Sequence, residues 1–270
     1  MELGFTTVDQ VCAQVDFKDN LSIIDLSQVS FIRPFGLIYL GMFLRHHNAL
    51  GKSFRVIPPP QNSNAQKYLT TQNFWERFNF NPDTVAKQSI LRCKNCTSLN
   101  DVIDIQNRGY IAEDVASDVL KVLQDNRILP AEMITEIVSE LVDNFACHSK
   151  QNLAALMMQY YPTLHEVVIA IGDCGIGIRS SLASNAKYKY LKVKHHYEAI
   201  LQAFEPLVTC KQEGGTGLTM VRESVIDSGG YLILTSGDEY VRINEKETVY
   251  GTMAYNLTGV QIQVVFPEGG

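Results

Sequence analysis

Apolar and polar positions alternate along the first eighty residues in short bursts. Leu21-Ser-Ile-Ile-Asp25 reads as a buried strand ending in a carboxylate. Phe35 to His47 has helical spacing, with Leu37, Leu40, Phe43 and Leu44 on one face. Phe54-Arg-Val-Ile57 predicts another short strand, stopped by Pro58-Pro59-Pro60. Asn64 to Phe78 predicts a helix capped by Ser63 or Asn64, with Tyr68, Leu69 and Trp75 inward. Strand–helix–strand–helix at these spacings predicts a small α/β domain over residues 1–88.

Residues 82–108 are polar and weakly periodic, so the pattern places a linker over 89–109 and a second domain over 110–270. Tyr110 to Asn126 is amphipathic, and a longer helix runs from Leu129-Pro130 to about Ser149. Strands follow near 153–161 and 165–172, then a Gly-rich turn and a basic, weakly structured stretch to 196. Ala199 to Phe204 looks helical, and a helix running to Ser228 follows the glycines at 214–217. Gly229-Gly230 stops it, and 231–236, 239–243, 247–256 and 259–266 read as antiparallel strands. The fold class is α/β in the first domain and an α+β two-layer arrangement in the second.

Composition narrows the classes. Of the 270 residues, 46% are hydrophobic and 19% charged, which excludes wholesale disorder and coiled coil. The longest apolar run, Phe35 to Leu44, has ten residues where a membrane span needs about 20. The start, MELGFTTVDQ, has neither a basic stretch nor an apolar run, so no signal peptide and a cytoplasmic location are expected. Net charge is −6, with the acidic excess beyond residue 88, so no nucleic-acid partner and no membrane partner are indicated. Cys93-Lys-Asn-Cys96 has the spacing of half a zinc site, but no second half follows, and a turn with two free thiols is the plainer reading.

Three clusters carry candidate chemistry. On the long helix, Glu136, Glu140, Asn144 and His148 recur every four residues, so neighbours in the row share a face. Glu140 can accept a proton from water or a hydroxyl, and Asn144 can offer a carbonyl oxygen to Mg2+. A solvated polar face is the alternative for this row alone. Next, Ile169-Ala-Ile-Gly-Asp173-Cys-Gly175-Ile-Gly177 is an apolar strand ending in a carboxylate and two glycines. Asp173 can accept the amine of an adenine, and Gly175 and Gly177 let backbone approach the base. Last, Gly214-Gly215-Thr216-Gly217-Leu218 opens a helix, where backbone amides make an anion site; a plain capping loop is the alternative.

In this order the clusters resemble the ATP-binding domain of the GHKL superfamily of gyrase, the heat-shock chaperone, histidine kinases and MutL. Glu140-Leu-Val-Asp-Asn144 resembles its N box, Asp173-Cys-Gly-Ile-Gly177 its G1 box and Gly215-Thr-Gly-Leu218 its G2 box. Phe204-Glu-Pro-Leu-Val-Thr-Cys-Lys211 resembles the stretch before G2 in histidine kinases. Glu140, His148 and Thr219 resemble the anti-sigma serine-kinase branch in particular. The resemblance implies a Bergerat fold with a mixed sheet, binding ATP and Mg2+ under a lid over about 178–213. Glu140 would be the base, Asn144 the metal ligand and Asp173 the adenine anchor. Gly175, Gly177, Gly215, Thr216, Gly217 and Leu218 would shape the pocket, and Lys211 would meet phosphate. Lys187, Lys189, Lys192 and Lys194 would fall in the lid, with a solvated loop as their alternative. One departure is Val260, which stands where the family's last strand carries an adenine-contacting Thr; Gly251-Thr252 is the candidate substitute.

Residues 1–88 resemble a STAS domain through Leu21-Ser-Ile-Ile-Asp-Leu-Ser-Gln-Val-Ser-Phe-Ile-Arg-Pro-Phe35-Gly36-Leu. Phe35 stands at that family's phosphoacceptor Ser, so no phosphate can be accepted there. Phe35 is then either an exposed docking residue or a core residue at the start of a helix. Together the two resemblances imply an ATP-binding regulatory protein with slow Mg-dependent ATP hydrolysis, or phosphoryl transfer to a partner Ser/Thr. The alternative is a non-catalytic, nucleotide-gated interaction module. Protein partners of a regulatory or STAS type are implied, and a homodimer is left open.

Overall fold

The computed structural model describes residues 1–18, 21–78, 103–106, 111–150, 153–208 and 217–268. The chain divides into two compact units, Met1–Thr97 and Ser98–Gly270, and its class is α+β.

In the first unit the order is β1 (Glu2–Leu3), α1 (Val8–Ala13), β2 (Leu21–Asp25), β3 (Phe31–Ile32), α2 (Pro34–Ala49), β4 (Ser53–Ile57), α3 (Asn64–Thr71) and α4 (Phe74–Phe78). β1 pairs with β3 and β2 with β4, both parallel. Helix α2 is buried nearly all round, because its sequence is apolar all round from Phe35 to Leu44. Phe35 is a core residue, 1% exposed, with its ring edge-on to Phe5 at 5.5 Å. The docking reading of Phe35 is thereby overturned: Pro34 starts the helix, and the next side chain turns inward. Gly36 follows because a Cβ there would lie 2.3 Å from the Leu3 carbonyl oxygen.

Two other expectations change here. β2 is not buried on both faces, since Leu21 and Ile23 point outward and Ser22 and Ile24 inward. The helix expected over Asn64–Phe78 breaks at Gln72-Asn73, where Asn73 has a positive φ of 49°. After that break Phe74 and Phe78 are buried, and Trp75 is only half-buried. Ser63 caps α3 by accepting from the Gln66 amide at 3.1 Å, a contact worth about 1 kcal/mol.

The second unit contains β5 (Ile103–Gln106), α5 (Ile111–Asp125), α6 (Ala131–His148), β6 (Leu153–Tyr161), β7 (Glu166–Asp173) and α7 (Gly177–Leu182). The 3-10 helix Ala186–Val193, α8 (His196–Ala203), α9 (Gly217–Asp227), β8 (Tyr231–Asn244) and β9 (Thr248–Pro267) complete it. The sheet order is β5-β6-β7-β9-β8, with every described pair antiparallel. β5 lies inside the stretch read as a linker: Ile105 is fully buried and pairs with Ala154, so four residues of that polar segment belong to the sheet. Alternate residues of the strands, such as Leu156, Ile169, Ile171, Val264 and Leu234, share one core with Ile137, Val138 and Leu141 of α6.

The four C-terminal strands expected are two long ones. A bulge at Ser236/Gly237 kinks β8 without ending it, and Gly237 and Gly259 take φ of 71° and 91°. The basic stretch before 196 is helical, not weakly structured. Ile178, Leu182, Tyr188 and Leu191 bury into the same core, so the described part of the expected lid is packed against the domain. Among the described residues no helix is long and apolar enough to cross a membrane.

Candidate functional site

Helix α6 forms because Ile134, Ile137, Val138, Leu141, Val142 and Phe145 make one apolar stripe for the core. That burial turns Glu140 and Asn144 to the opposite side, where both are half-buried. Asn144 Nδ2 donates to the Glu140 carbonyl at 2.8 Å. Its Oδ1 is the atom left to meet a ligand, and a hard carbonyl oxygen suits Mg2+. Glu136 is exposed a turn earlier.

The start of α9 closes on the same spot. A Cβ on Gly217 would lie 2.2 Å from Glu140 Oε2 and 3.6 Å from Asn144 Nδ2. Only a residue with no side chain lets the first turn of α9 approach the Glu140 carboxylate this closely. The amides there carry the positive end of the helix dipole, which favours an anion. Leu218 is half-buried against the core, and the buried Thr219 hydroxyl donates to the Phe204 carbonyl at 3.0 Å, tying α9 to the end of α8. Lys211, Gly215 and Thr216, like Cys93 and Cys96, lie outside the described residues.

The second cluster lies at the C-terminal end of α6. Asp173 ends β7 and is 6% exposed. Its Oδ1 accepts the Gly175 amide at 2.6 Å, and the Val260 amide donates to the same carboxylate. Burial outweighs these two bonds and pushes its pKa up to about 7. Gly175 is required because a Cβ would lie 2.3 Å from the Ser149 carbonyl oxygen, which also accepts the Ile176 amide at 3.1 Å. Gly177 takes φ +72°, with Ser236 Oγ just beyond its Cα, and that hydroxyl accepts the Ile178 amide at 3.0 Å. Ser149, the C-cap of α6, lies nine positions after Glu140, a rise of about 13 Å.

Several residues of this site were not singled out from sequence. Gln261 Nε2 donates to the Asp173 carbonyl at 3.0 Å, and its Oε1 accepts the Thr235 hydroxyl at 2.8 Å. A Cβ on Gly259 would lie 2.1 Å from the Asp173 carbonyl oxygen. Isolated glycines inside strand patterns were the available signal for Gly237 and Gly259. Gly251-Thr252, the candidate substitute for the Thr expected at 260, lies away from Asp173. It pairs with Tyr240 and Glu239 in the outer part of the β8–β9 ribbon, about 25 Å of strand from Gly259. Residue 260 instead meets Asp173 through its backbone N–H.

Among the described residues no group of three or more His, Cys, Asp or Glu side chains is placed to hold a metal. A Mg2+ here would rest on Asn144 Oδ1, on oxygens brought by its ligand and on water, since Mg2+ keeps several waters when it binds with phosphates. No protein-family model matches this chain, and no curated protein matches its sequence.

Proposed function

We propose that the second unit is a GHKL-type domain that binds Mg-ATP and uses it in slow hydrolysis or in phosphoryl transfer to a partner Ser/Thr. The observation that carries this reading is the meeting of Glu140, Asn144 and Gly217 beside the second half of α6, while Asp173 and Gly175 meet its C-terminal end at Ser149. The rise of about 13 Å from Glu140 to Ser149, half the length of α6, suits a nucleotide lying along the C-terminal half of the helix with its base at Asp173 and its phosphates at the start of α9.

Each residue then has one task. The Asp173 carboxylate accepts the exocyclic amine, and the turn at Gly175 and Gly177, packed on the Ser149 carbonyl and Ser236 Oγ, shapes the wall beside it. Asn144 Oδ1 holds the cation, and amides at the start of α9 face phosphate. Bound Mg2+ would neutralise phosphate charge and fix the reacting group. Glu140, about one turn from Asn144, takes the proton from the attacking water or partner hydroxyl. Calorimetry with Mg-ATP, followed by turnover with and without partner proteins, tests the reading. No heat of binding at any pH above 7 would refute it.

A second reading is favoured by Val260, whose side chain offers no hydroxyl to a base: nucleotide is bound without chemistry and gates a protein contact. Saturable ATP binding with no turnover under any condition would select it. The first unit is read as STAS-like, with Phe35 closing the phosphoacceptor position by burial.

A further inference from the structure

A 3-10 helix has three residues per turn, so side chains three apart lie in one row. Ala186–Val193 therefore presents three rows. Tyr188 and Leu191 form one, and both are buried, which fixes the rotation of the helix. The Asn185 side chain caps its start on the Lys187 amide at 3.0 Å. The other rows, Lys189 with Lys192 and Lys187 with Tyr190 and Val193, are exposed. The rise of the helix sets Lys189 and Lys192 about 6 Å apart.

This face is unusual for the molecule. No Asp or Glu occurs between Arg179 and Tyr197, although the chain carries a net charge of −6. Lys194 pairs with Glu198 at 3.1 Å, while Lys189 and Lys192 form no ion pair among the described residues. Val193 is 88% exposed, the most exposed large apolar side chain described. Beside it the Tyr190 hydroxyl donates to Gln202 Oε1 at 3.0 Å, which holds the ring in place. Like charges this close lie within a Debye length of about 8–10 Å and repel, so the face favours a ligand that brings negative charge.

We propose that this face docks an acidic segment of a protein partner, with carboxylates on Lys189 and Lys192 and an aliphatic side chain against Val193 and Tyr190. A nucleic acid would use the lysines and leave Val193 without a role, and the tethered Tyr190 offers no run of stacking faces. A lipid surface needs a broad basic face, whereas this helix is about 16 Å long in an acidic chain. The inference is independent of the nucleotide reading, because no nucleotide is needed for it.

The test uses the full chain and a labelled, soluble peptide of repeated Glu-Glu-Leu-Glu units, followed by fluorescence anisotropy without nucleotide. Wild type should bind, more weakly as salt rises. The double variant K189E/K192E should bind about ten-fold or more weakly at unchanged melting temperature, since each exposed ion pair is worth a few-fold. V193D should also weaken binding, while K189R/K192R should keep it. No binding by wild type, or equal binding by K189E/K192E, overturns the proposal. Tighter binding of oligothymidylate or of phosphatidylserine vesicles than of the peptide, lost in the same variant, overturns it in favour of that polyanion. Loss of Mg-ATP affinity in K189E/K192E overturns it by assigning these lysines to the nucleotide.

Discussion

Gly217 stands against Glu140 so closely that one added methyl would sit 2.2 Å from Oε2 of the carboxylate. The carboxylate ends a flexible side chain, so it can swing away from such a methyl while the backbone holds. Gly217→Ala should therefore fold with a melting temperature near or above wild type, helped by the better helix propensity of Ala, worth up to about 1 kcal/mol. Turnover should fall by about ten-fold or more, because the carboxylate is displaced from where it was held. Thermal unfolding and single-turnover kinetics on one preparation check both halves. Unchanged turnover would separate Glu140 from the chemistry.

Glu140→Ala separates binding from rate. Removing a general base costs about 10²–10⁴-fold in rate, and the amides at the start of α9, to which the proposal assigns the phosphates, remain. ATP affinity by calorimetry should stay within a few-fold while turnover collapses.

If the proposed nucleotide reading holds, Asp173 makes ATP binding depend on pH. With its pKa pushed up to about 7 by burial, the carboxyl is protonated below that value and cannot then accept an amine at both oxygens. Affinity for ATP should fall toward ten-fold per pH unit below about 7 and flatten above it. The stability sign is opposite to that of a salt-bridged carboxylate. The folded pKa lies above the unfolded value of 3.8, so the group's stabilisation is full below about pH 4 and is lost as pH rises to about 7. The upper bound is on the order of 4 kcal/mol, at 1.36 kcal/mol per unit. Asp173→Asn should lose affinity, lose its pH dependence, and melt higher than wild type at pH 8 but not at pH 4. Parallel melting curves at all pH values would show that Asp173 does not titrate in this range.

Phe35→Ala tests the core of the first unit. Truncating a buried Phe costs about 3–5 kcal/mol, so the first unit should unfold at markedly lower denaturant. Denaturation followed by intrinsic fluorescence, with Trp75 as the reporter in that unit, checks this. A midpoint equal to wild type would return Phe35 to the surface.

Much of this architecture was written locally. The α6 stripe, the two central strands β6 and β7, the Ser63 cap and the apolar strand that delivers Asp173 all follow from spacing over a few residues, and they hold in three dimensions. The placement of Glu140 and Asn144 on the polar side of α6, and of Asp173 at the end of β7, was also legible, because periodicity defines both elements. What spacing could not decide was which side of an element faces the interior when both sides are apolar. Phe35 and Trp75 are such cases: each lies next to other large apolar residues, and only packing against Phe5 and Tyr39, or the turn at Asn73, selects the buried one. Pairing is the other limit. Ile103–Gln106 is too short and polar to declare itself a strand, and it becomes one because β6 presents an open edge. Gly259 and Gln261 reach Asp173 from almost ninety residues away through strand register, as the Gln261 bond with its sequence separation of 88 shows. Contacts of that range are set by which backbones lie side by side, and that is a property of the folded sheet, not of any local run of residues.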